Sequence, residues 1–222
     1  MEVAPETSWL SAPETGVLTA LGTARSVPSG STLFVEGDEP YDLMVIESGD
    51  VKLTTTSLTG QEVVLDVVGA GEMLGELSAI DGSRRSATAV ALNDVRLTSI
   101  GVERFLAFLQ EHPPAMGALL AIVIRRLRSS NRRQLEFSTT DSLGRVCARL
   151  DELAARYGRA DGDDAVAIEL EINQTELAQW CGLSREAIVK ALRKLRNLGW
   201  VDTSAGTITL NDRDQIAIRG QL

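Results

Sequence analysis

Short β-like runs, each only a few residues long, recur through the first half of the chain. They cover residues 32–35, 43–46, 51–53, 62–65, 87–90 and 95–98. Glycines stand between or beside these runs, at positions 30, 37, 49, 60, 69 and 71. Glycine adopts turn conformations without steric cost, so each of these positions suits a change of strand direction. Many short strands with regular turn signals predict a compact β-barrel or jelly roll.

A long helix is predicted in the middle of the chain. Residues 102–111 form a first amphipathic helix, and Pro113-Pro114 interrupts it, since proline is tolerated in the first turn of a new helix but not inside one. The long helix then covers residues 115–137. Residues recur along it at alternating spacings of three and four, namely Leu120, Val123, Leu127, Ser130, Gln134 and Phe137. This spacing is typical of a coiled coil and favours a dimer, although a helix packed on its own domain would carry a similar stripe.

A polar segment, residues 138–141, is predicted to be a hinge between domains. Beyond it the pattern predicts a helix at residues 143–157, a charged loop at residues 159–164 and a strand at residues 166–172. The expected domain boundaries are residues 1–112, 113–140 and 141–222.

Residues 75–87 combine groups that suit a phosphate joined to a sugar. Gly75 lets the backbone come close to a ligand. The planar guanidinium of Arg85 can donate to two phosphate oxygens, and Ser86 adds a neutral hydroxyl donor. Glu76 would repel a bare phosphate, so it indicates a ligand that also carries neutral hydroxyls, such as those of a ribose. The segment therefore predicts a nucleotide-binding site.

Two helices that meet at residues 182–184 are predicted within residues 174–196. Gly182 supplies a left-handed turn and Ser184 can cap the second helix, which together give the spacing of a helix-turn-helix motif. At the start of that helix, Arg185 can donate to guanine and Glu186 can accept from cytosine. The other candidate DNA-contacting residues are Gln174, Lys190, Arg193 and Lys194. A plain helical hairpin with a solvated basic face is the alternative.

A hairpin is predicted after these helices, with residues 199–203 and 207–210 on either side of Ala205-Gly206. Such a hairpin is the wing that accompanies many helix-turn-helix motifs.

The distribution of charge is compatible with DNA binding although the net charge is −9. Residues 1–110 carry 6 basic and 16 acidic side chains, whereas residues 111–145 carry 6 and 3, and residues 173–222 carry 7 and 5. The local field governs contact with nucleic acid, so the acidic first half does not argue against a basic DNA-binding region.

Few residues suit a metal or redox site. Cys147 and Cys181 lie in predicted helices. Two cysteines are too few for an iron–sulfur cluster, which usually needs four, and disulfides are rare in a reducing cytosol. A role in buried packing is therefore favoured for both. The lone His112 has no other histidine and no nearby cysteine to share a metal with, so no metal site is expected.

No apolar run reaches the about 20 residues that cross a bilayer, and residues 1–10 lack the basic start of a secretory signal. A cytoplasmic protein without membrane association is expected.

The order of these features resembles the Crp/Fnr family of cyclic-AMP receptors and fumarate–nitrate regulators. The resemblance covers about residues 32–210 and rests on two motifs, Gly75-Glu76-Leu77 with Arg85-Ser86-Ala87, and Ser184-Arg185-Glu186. It implies an α+β fold with an N-terminal cyclic-nucleotide-binding β jelly roll or barrel, a long dimerisation helix and a C-terminal winged helix-turn-helix.

The resemblance also implies roles for the residues of the first motif. Gly75 and Leu77 would line the phosphate turn, Glu76 would hold the ribose 2′-hydroxyl, and Arg85 and Ser86 would hold the cyclic phosphate.

Three residues of the long helix are implicated by the same resemblance. Arg126 matches the position that pairs with the acid, and Ser130 and Asn131 match the pair that contacts adenine, with Asn131 acting across the dimer. The chain departs from the usual Thr-Ser at that pair, and it has Lys190 where the best-known member has arginine. Lysine discriminates guanine less sharply than arginine, which predicts a relaxed half-site.

The function expected from this resemblance is a homodimeric transcription regulator controlled by cyclic AMP. Its expected partners are a palindromic DNA operator and RNA polymerase. Two alternatives remain open, namely a regulator of the same fold that responds to another ligand or to none, and a nucleotide-binding module that acts on a protein partner. Nothing in the sequence suggests an enzyme.

Overall fold

The computed structural model describes residues 10–57, 60, 62–161, 165–170, 172–203 and 207–221. The chain separates into two compact units, Met1–Leu127 and Arg128–Leu222. The division falls inside the long helix.

The N-terminal unit is built from short antiparallel strands. They are β1 Thr23–Val27, β2 Thr32–Phe34, β3 Asp42–Ser48, β4 Val51–Thr56, β5 Glu62–Val68, β6 Met73–Leu74, β7 Thr88–Ala91 and β8 Val95–Gly101. They form two four-stranded sheets, in the orders β1-β8-β3-β6 and β2-β7-β4-β5. The predicted jelly-roll-like β domain is confirmed, with two separate sheets rather than one closed barrel.

Four helices begin within the described residues of this unit. They are α1 Ala12–Ala20, α2 Glu76–Asp81, α3 Val102–Glu111 and α4 Pro113–Thr139. The predicted helix at residues 102–111 is confirmed, and the long helix extends two residues beyond its predicted range at each end. The compact segment that follows Gly75 is a short helix, α2, bounded by Gly75 at φ 79° and Gly82 at φ 69°.

One face of α4 completes the core of the N-terminal unit. Ala115, Leu119 and Ile122 follow one another at spacings of four and three, so they share a helical face. All three are buried in a cluster that includes Phe105 and Phe108 of α3. The helix is therefore amphipathic, and its apolar packing face differs from the predicted dimer seam.

The described residues of the C-terminal unit form four helices besides the end of α4, together with a small sheet. Its helices are α5 Ser142–Tyr157, α6 Gln174–Cys181, α7 Arg185–Asn197 and α8 Arg213–Gly220. Its strands are β9 Gly158–Ala160, β10 Val166–Ile168, β11 Val201–Asp202 and β12 Ile208–Leu210, in the sheet order β11-β12-β10-β9. The two strands of the predicted wing pair with each other in antiparallel fashion. The turn predicted at Ala205-Gly206 lies outside the described residues.

Two sequence predictions in this unit need correction, and one helix was missed. The predicted loop at residues 159–164 is wrong for Arg159 and Ala160, which pair with β10 as part of β9. The strand expected at residues 166–172 ends at Ile168. Helix α8 was not predicted.

Both cysteines are buried, and neither forms a disulfide. Burial raises the pKa of the Cys147 thiol to about 11 and that of Cys181 to about 12, because a thiolate loses its hydration in an apolar interior. The predicted packing role of both residues is confirmed.

Within the described ranges, the chain has no single helix that is long and apolar enough to cross a bilayer.

Candidate nucleotide pocket and DNA-binding surface

A pocket in the N-terminal unit gathers the residues of the predicted phosphate motif. It is lined by Phe34, Leu53, Gly75, Glu76, Leu77, Ser78, Arg85, Ser86, Ala87 and Arg126. Six of these ten are predicted ligand-binding residues, and they come from the turn before α2, from α2 itself, from the segment before β7 and from α4. Residues 51 positions apart in sequence, Gly75 and Arg126, therefore meet at one cavity.

Gly75 is required by both its backbone and its neighbour. Its φ of 79° lies in the left-handed region that only glycine adopts freely. A Cβ at this position would lie 2.1 Å from Nη1 of Arg85. The absent side chain thus makes the space in which the guanidinium lies.

Arg85 is buried, with only 4% of its surface exposed, and its guanidinium is already hydrogen-bonded by the protein. Nη2 donates to the Asp42 carbonyl oxygen at 2.6 Å and to Asp42 Oδ1 at 2.9 Å, while Nη1 donates to the Gly75 carbonyl oxygen at 3.1 Å. The guanidinium also lies over the ring of Phe34, 4.4 Å from its centroid. An arginine has five N–H donors, so two remain for a ligand.

The free donors of Arg85 differ from the sequence expectation. Both hydrogens of Nη2 are used by Asp42, so the guanidinium does not offer an unoccupied fork to two phosphate oxygens. Nε is buried and has no hydrogen-bond partner in the described part of the chain. A ligand must use this nitrogen and the remaining Nη1 hydrogen, or it must displace Asp42.

The backbone around Arg85 is fixed by the loop that follows β2. The Arg85 amide donates to the Asp38 carbonyl oxygen at 2.9 Å, and the Gly37 amide donates to the Arg85 carbonyl oxygen at 2.9 Å. Burial lowers the pKa of Arg85, while Asp42, Asp38 and Glu76 oppose this shift. These carboxylates keep the buried guanidinium charged.

Glu76 and Arg126 form the predicted ion pair across the pocket. Glu76 is 1% exposed, and its Oε1 accepts a hydrogen bond from Nη1 of Arg126. Nη2 of Arg126 also donates to the Met73 carbonyl oxygen at 2.9 Å. Because a buried carboxylate is costly without a counter-ion, the pairing with Arg126 stabilises Glu76 at the pocket wall.

The remaining pocket residues fall into two groups. Leu77 and Ser86 are exposed, so they are accessible to a ligand. Ser78, Phe34 and Leu53 were not predicted. Ser78 is buried and its hydroxyl donates to the Arg84 carbonyl oxygen at 3.3 Å, which holds α2 against the segment that carries Arg85.

Ser130 and Asn131 lie on the part of α4 that belongs to the C-terminal unit. Both are exposed. Their contact with adenine stays a prediction.

The helix-turn-helix geometry in the C-terminal unit follows from two capping residues. Gly182 ends α6 at φ 59°, and the Ser184 hydroxyl accepts from the Ala187 amide at 3.2 Å at the start of α7. The motif's core is buried and comprises Leu177, Ile188, Leu192 and Leu195. The predicted pair of helices and their caps are confirmed.

The outer face of α7 carries the predicted DNA-contacting side chains. A shallow depression is lined by Arg185, Glu186, Val189, Lys190 and Arg193. Gln174, Ser184 and Lys194 are exposed outside it. Hydrogen bonds from its own backbone amide and from the Ser184 hydroxyl lower the pKa of Glu186, so it is a carboxylate at neutral pH.

Both halves of the chain match known domain families. Residues 24–112 match the cyclic nucleotide-binding domain, and residues 144–217 match the Crp-like helix-turn-helix domain. The CRP-like cAMP-activated global transcriptional regulator of Mycobacterium tuberculosis is 32% identical over 194 residues, which is 87% of this chain and 86% of the relative. The cyclic AMP receptor protein of Thermus thermophilus is 34% identical over 188 residues, which is 85% and 83% of the two chains.

This chain belongs to the Crp/Fnr family. It is a DNA-binding transcription regulator with a cyclic nucleotide-binding domain, and not an enzyme. The fold is shared with a solved structure of the c-di-GMP-responsive global regulator CLP of Xanthomonas campestris, at a TM-score of 0.80 and 24% identity, covering 90% of this chain and 99% of that one.

The exposed face of α4 in this Crp/Fnr protein carries large apolar side chains. Met116, Leu120, Ile124 and Leu127 all lie on the surface of the single chain, and Leu120 and Leu127 are each 59% exposed. Two of them belong to the predicted coiled-coil seam. The last seam residue, Phe137, is 46% exposed and also contacts its own chain, with its ring against Gly182 and its ring centroid 5.3 Å from the guanidinium of Arg145.

An ion pair that the sequence did not suggest fixes the end of α4 within the C-terminal unit. The guanidinium of Arg149 on α5 is buried and pairs with Glu136 at 2.6 Å and with Glu152. The predicted hinge at residues 138–141 is thus bridged by contacts between the residues on either side of it.

Proposed function

We propose that this Crp/Fnr regulator is a homodimer whose affinity for a palindromic DNA site is controlled by a cyclic nucleotide, most simply cyclic AMP. The observation that carries the proposal is the pocket that unites Gly75, Glu76, Leu77, Arg85, Ser86 and Arg126. It combines a buried cation, a hydroxyl donor and a carboxyl acceptor, which are the groups that a cyclic phosphate and a ribose hydroxyl require.

In the proposed complex, Arg85 and Ser86 donate to the cyclic phosphate beside Gly75 and Leu77. Glu76 accepts from the ribose 2′-hydroxyl, and Arg126 pairs with its carboxylate. Ser130 of one subunit and Asn131 of the other contact the adenine edge. The names of the two curated relatives, which describe a cAMP-activated regulator and a cyclic AMP receptor, support cyclic AMP as the first candidate.

The exposed apolar face of α4 is the proposed dimer interface. Leu120, Ile124 and Leu127 would be covered by the same helix of a second copy. The proposed functional division is residues 1–112 for the effector domain, 113–140 for dimerisation and 141–222 for DNA binding.

DNA recognition is assigned to α7. Arg185 and Glu186 would reach base edges in the major groove, and Lys190 would contact a base or a phosphate. Gln174, Ser184, Arg193 and Lys194 would contact the DNA backbone. Two copies of α7 in successive major grooves lie about 34 Å apart, which requires a palindromic operator. A cytoplasmic location and contact with RNA polymerase complete the proposal.

The decisive experiment is a DNA-binding titration in the presence and absence of cyclic AMP, with an operator selected from a palindromic library. We expect cyclic AMP to increase operator affinity, because a ligand shifts an equilibrium only through its differential affinity for two states. An unchanged affinity would remove cyclic AMP as the effector. Arg185→Ala should abolish the specific complex and leave calorimetric nucleotide binding intact, which separates the two sites.

A second candidate is a regulator of the same fold that answers to another nucleotide. It is favoured by the departure at Ser130-Asn131 and by the engaged Nη2 of Arg85. Calorimetry with cyclic AMP, cyclic GMP and c-di-GMP distinguishes the two candidates, with Ser86→Ala as the pocket variant.

A further inference from the structure

Asp42 contacts the guanidinium of Arg85 although it belongs neither to the phosphate motif nor to the lining of the pocket. Its Oδ1 lies 2.9 Å from Nη2 of Arg85, and its carbonyl oxygen lies 2.6 Å from the same nitrogen. The Arg85 side chain in this pair is 3% exposed and that of Asp42 is 23% exposed. The carboxylate is therefore a close, poorly screened counter-ion of the cation proposed to bind phosphate.

The position of Asp42 is fixed by the β-sheet. It is the first residue of β3 and pairs with Gly101 of β8. Its second carboxylate oxygen, Oδ2, accepts a hydrogen bond from the hydroxyl of Ser99, which lies on β8. Each oxygen of the carboxylate thus has its own partner, and the side chain holds Arg85 from a rigid element.

We propose that Asp42 is a positioning residue that makes the pocket selective for singly charged phosphodiesters over doubly charged phosphomonoesters. The inference rests on the proposed nucleotide function of this pocket. Asp42 directs Arg85 through its hydrogen bonds and, by its charge, cancels part of the attraction that Arg85 exerts on an anion.

The charge of the ligand decides how strongly Asp42 opposes its binding. A cyclic phosphate carries one negative charge, whereas the phosphate of 5′-AMP carries about two at neutral pH, since its second pKa is near 6. Repulsion by the fixed carboxylate scales with ligand charge, so it penalises 5′-AMP more than cyclic AMP. The cell's abundant linear mononucleotides would thereby be kept out of a pocket whose ribose and base contacts they share.

Asp42→Asn separates the charge of Asp42 from its geometry. The amide oxygen of asparagine can still accept from Nη2 of Arg85. Its NH₂ group can donate to the Ser99 hydroxyl, which then rotates to accept. The variant therefore keeps Arg85 in place and removes one negative charge.

The test is isothermal titration of the full-length protein with cyclic AMP and with 5′-AMP at pH 7.5. For Asp42→Asn we expect cyclic AMP to bind about tenfold more tightly and 5′-AMP to gain more, so that the preference for cyclic AMP falls about tenfold. A purely structural Asp42 would weaken both ligands equally. An unchanged or increased preference for cyclic AMP would overturn the proposal.

Two further variants protect the test against misfolding. Asp42→Ala removes the charge and the hydrogen bonds together, so both affinities should fall while the preference for cyclic AMP still decreases. Asp50→Asn is the matched control, because Asp50 follows the same strand, pairs with Asn93 at 2.9 Å and does not line the pocket. It should leave both affinities and their ratio unchanged, and a similar loss of preference there would contradict a specific role for Asp42.

The outcome also separates this inference from the proposed effector. If the unmodified protein binds neither nucleotide, cyclic AMP fails as the effector. If Asp42→Asn then binds a nucleotide, the result still supports the inference that the charge of Asp42 opposes ligand binding. If neither protein binds a nucleotide, the inference is overturned as well.

Discussion

The ring of Phe137, at the end of α4, lies against Gly182 in the turn of the helix-turn-helix motif. A Cβ at position 182 would come within 2.7 Å of Cε1 of that ring. Gly182 also has a φ of 59°, so this position requires glycine both for its backbone conformation and for the approach of Phe137.

We expect Gly182→Ala to destabilise the C-terminal unit by more than the about 1–2 kcal/mol that a left-handed alanine costs. The added methyl must push Phe137 away, which should also weaken operator binding because the turn sets the direction of α7. Thermal melting and a DNA-binding titration measure the two effects. Gly199→Ala is the control, since Gly199 has a φ of 74° with nothing within 4 Å of a Cβ. If the two variants lose equal amounts of thermal stability, the Phe137 contact has no energetic role.

Gly75→Ala tests the corresponding relationship in the pocket. The new methyl would occupy the space of Nη1 of Arg85, so we expect nucleotide binding to fall at least tenfold beyond the backbone cost. Gly82, at the other end of α2, has a φ of 69° and open space at its Cβ position. Gly82→Ala should therefore lose similar backbone stability and keep its nucleotide affinity. Calorimetry measures the nucleotide affinity of both variants. An unchanged affinity in Gly75→Ala would mean that Arg85 can move without weakening nucleotide binding.

The pocket shows which parts of a site a sequence can reveal. Gly75, Glu76 and Arg85 were predicted because each belongs to a short motif whose residue types suit a phosphate and a sugar. Asp42 was not, because it lies 43 positions from Arg85 in the sequence and its place at the start of β3 is fixed by pairing with β8. No local pattern contains that information.

The fold shows the same distinction between patterned and unpatterned segments. Helix α3 was predicted at its observed bounds because its apolar residues repeat at helical spacing. Strand β1 was missed because four of its five residues are exposed, which leaves no alternation to detect. The contact of Phe137 with Gly182 was not predicted, because the coiled-coil spacing of Phe137 carries no information about packing within the C-terminal unit.

Arg126→Leu should destabilise the N-terminal unit by about 3 kcal/mol, because it leaves the carboxylate of Glu76 buried without its counter-ion. Urea unfolding provides the measurement. Arg125→Leu is a suitable control, since Arg125 is the adjacent residue of α4 and is exposed. If the double variant Glu76→Gln with Arg126→Leu recovers much of the loss, the unpaired charge is the cause. If Arg126→Leu lowers the free energy of unfolding no more than Arg125→Leu does, this account is contradicted.

Alkaline pH should selectively weaken the C-terminal unit through its two cysteines. Burial raises the pKa of Cys147 from 9.0 to about 11 and that of Cys181 from 9.0 to about 12. Both thiols are protonated below pH 9 in the folded and the unfolded protein, so the folded state keeps its full stability there. Above pH 9 the thiols of the unfolded protein ionise first, and this lowers the free energy of unfolding as the pH rises towards 11 and 12. Each thiol can contribute a slope of up to about 1.4 kcal/mol per pH unit in that window.

Urea unfolding between pH 8 and pH 10.5 measures this slope. The double variant Cys147→Ala with Cys181→Ala should show a flatter alkaline decline, whatever its absolute stability. Both thiols should also resist alkylation in the folded protein at pH 8 and react on unfolding. If stability falls with pH equally steeply in the variant and in the unmodified protein, the thiols do not cause the loss of stability at alkaline pH.

The proposed dimer is tested on the exposed face of α4. Leu120 is 59% exposed in the single chain, so a charge at this position costs little in a monomer and is expensive once a second helix covers it. We expect Leu120→Glu to dissociate the dimer at micromolar concentration and to abolish operator binding, with nucleotide binding to the N-terminal unit weakened but not lost. Ala121→Glu introduces the same charge one position further along the helix, on a different face, and should remain dimeric. Sedimentation velocity distinguishes the two states, and a Leu120→Glu variant that sediments as a dimer would place the interface on another surface of the chain.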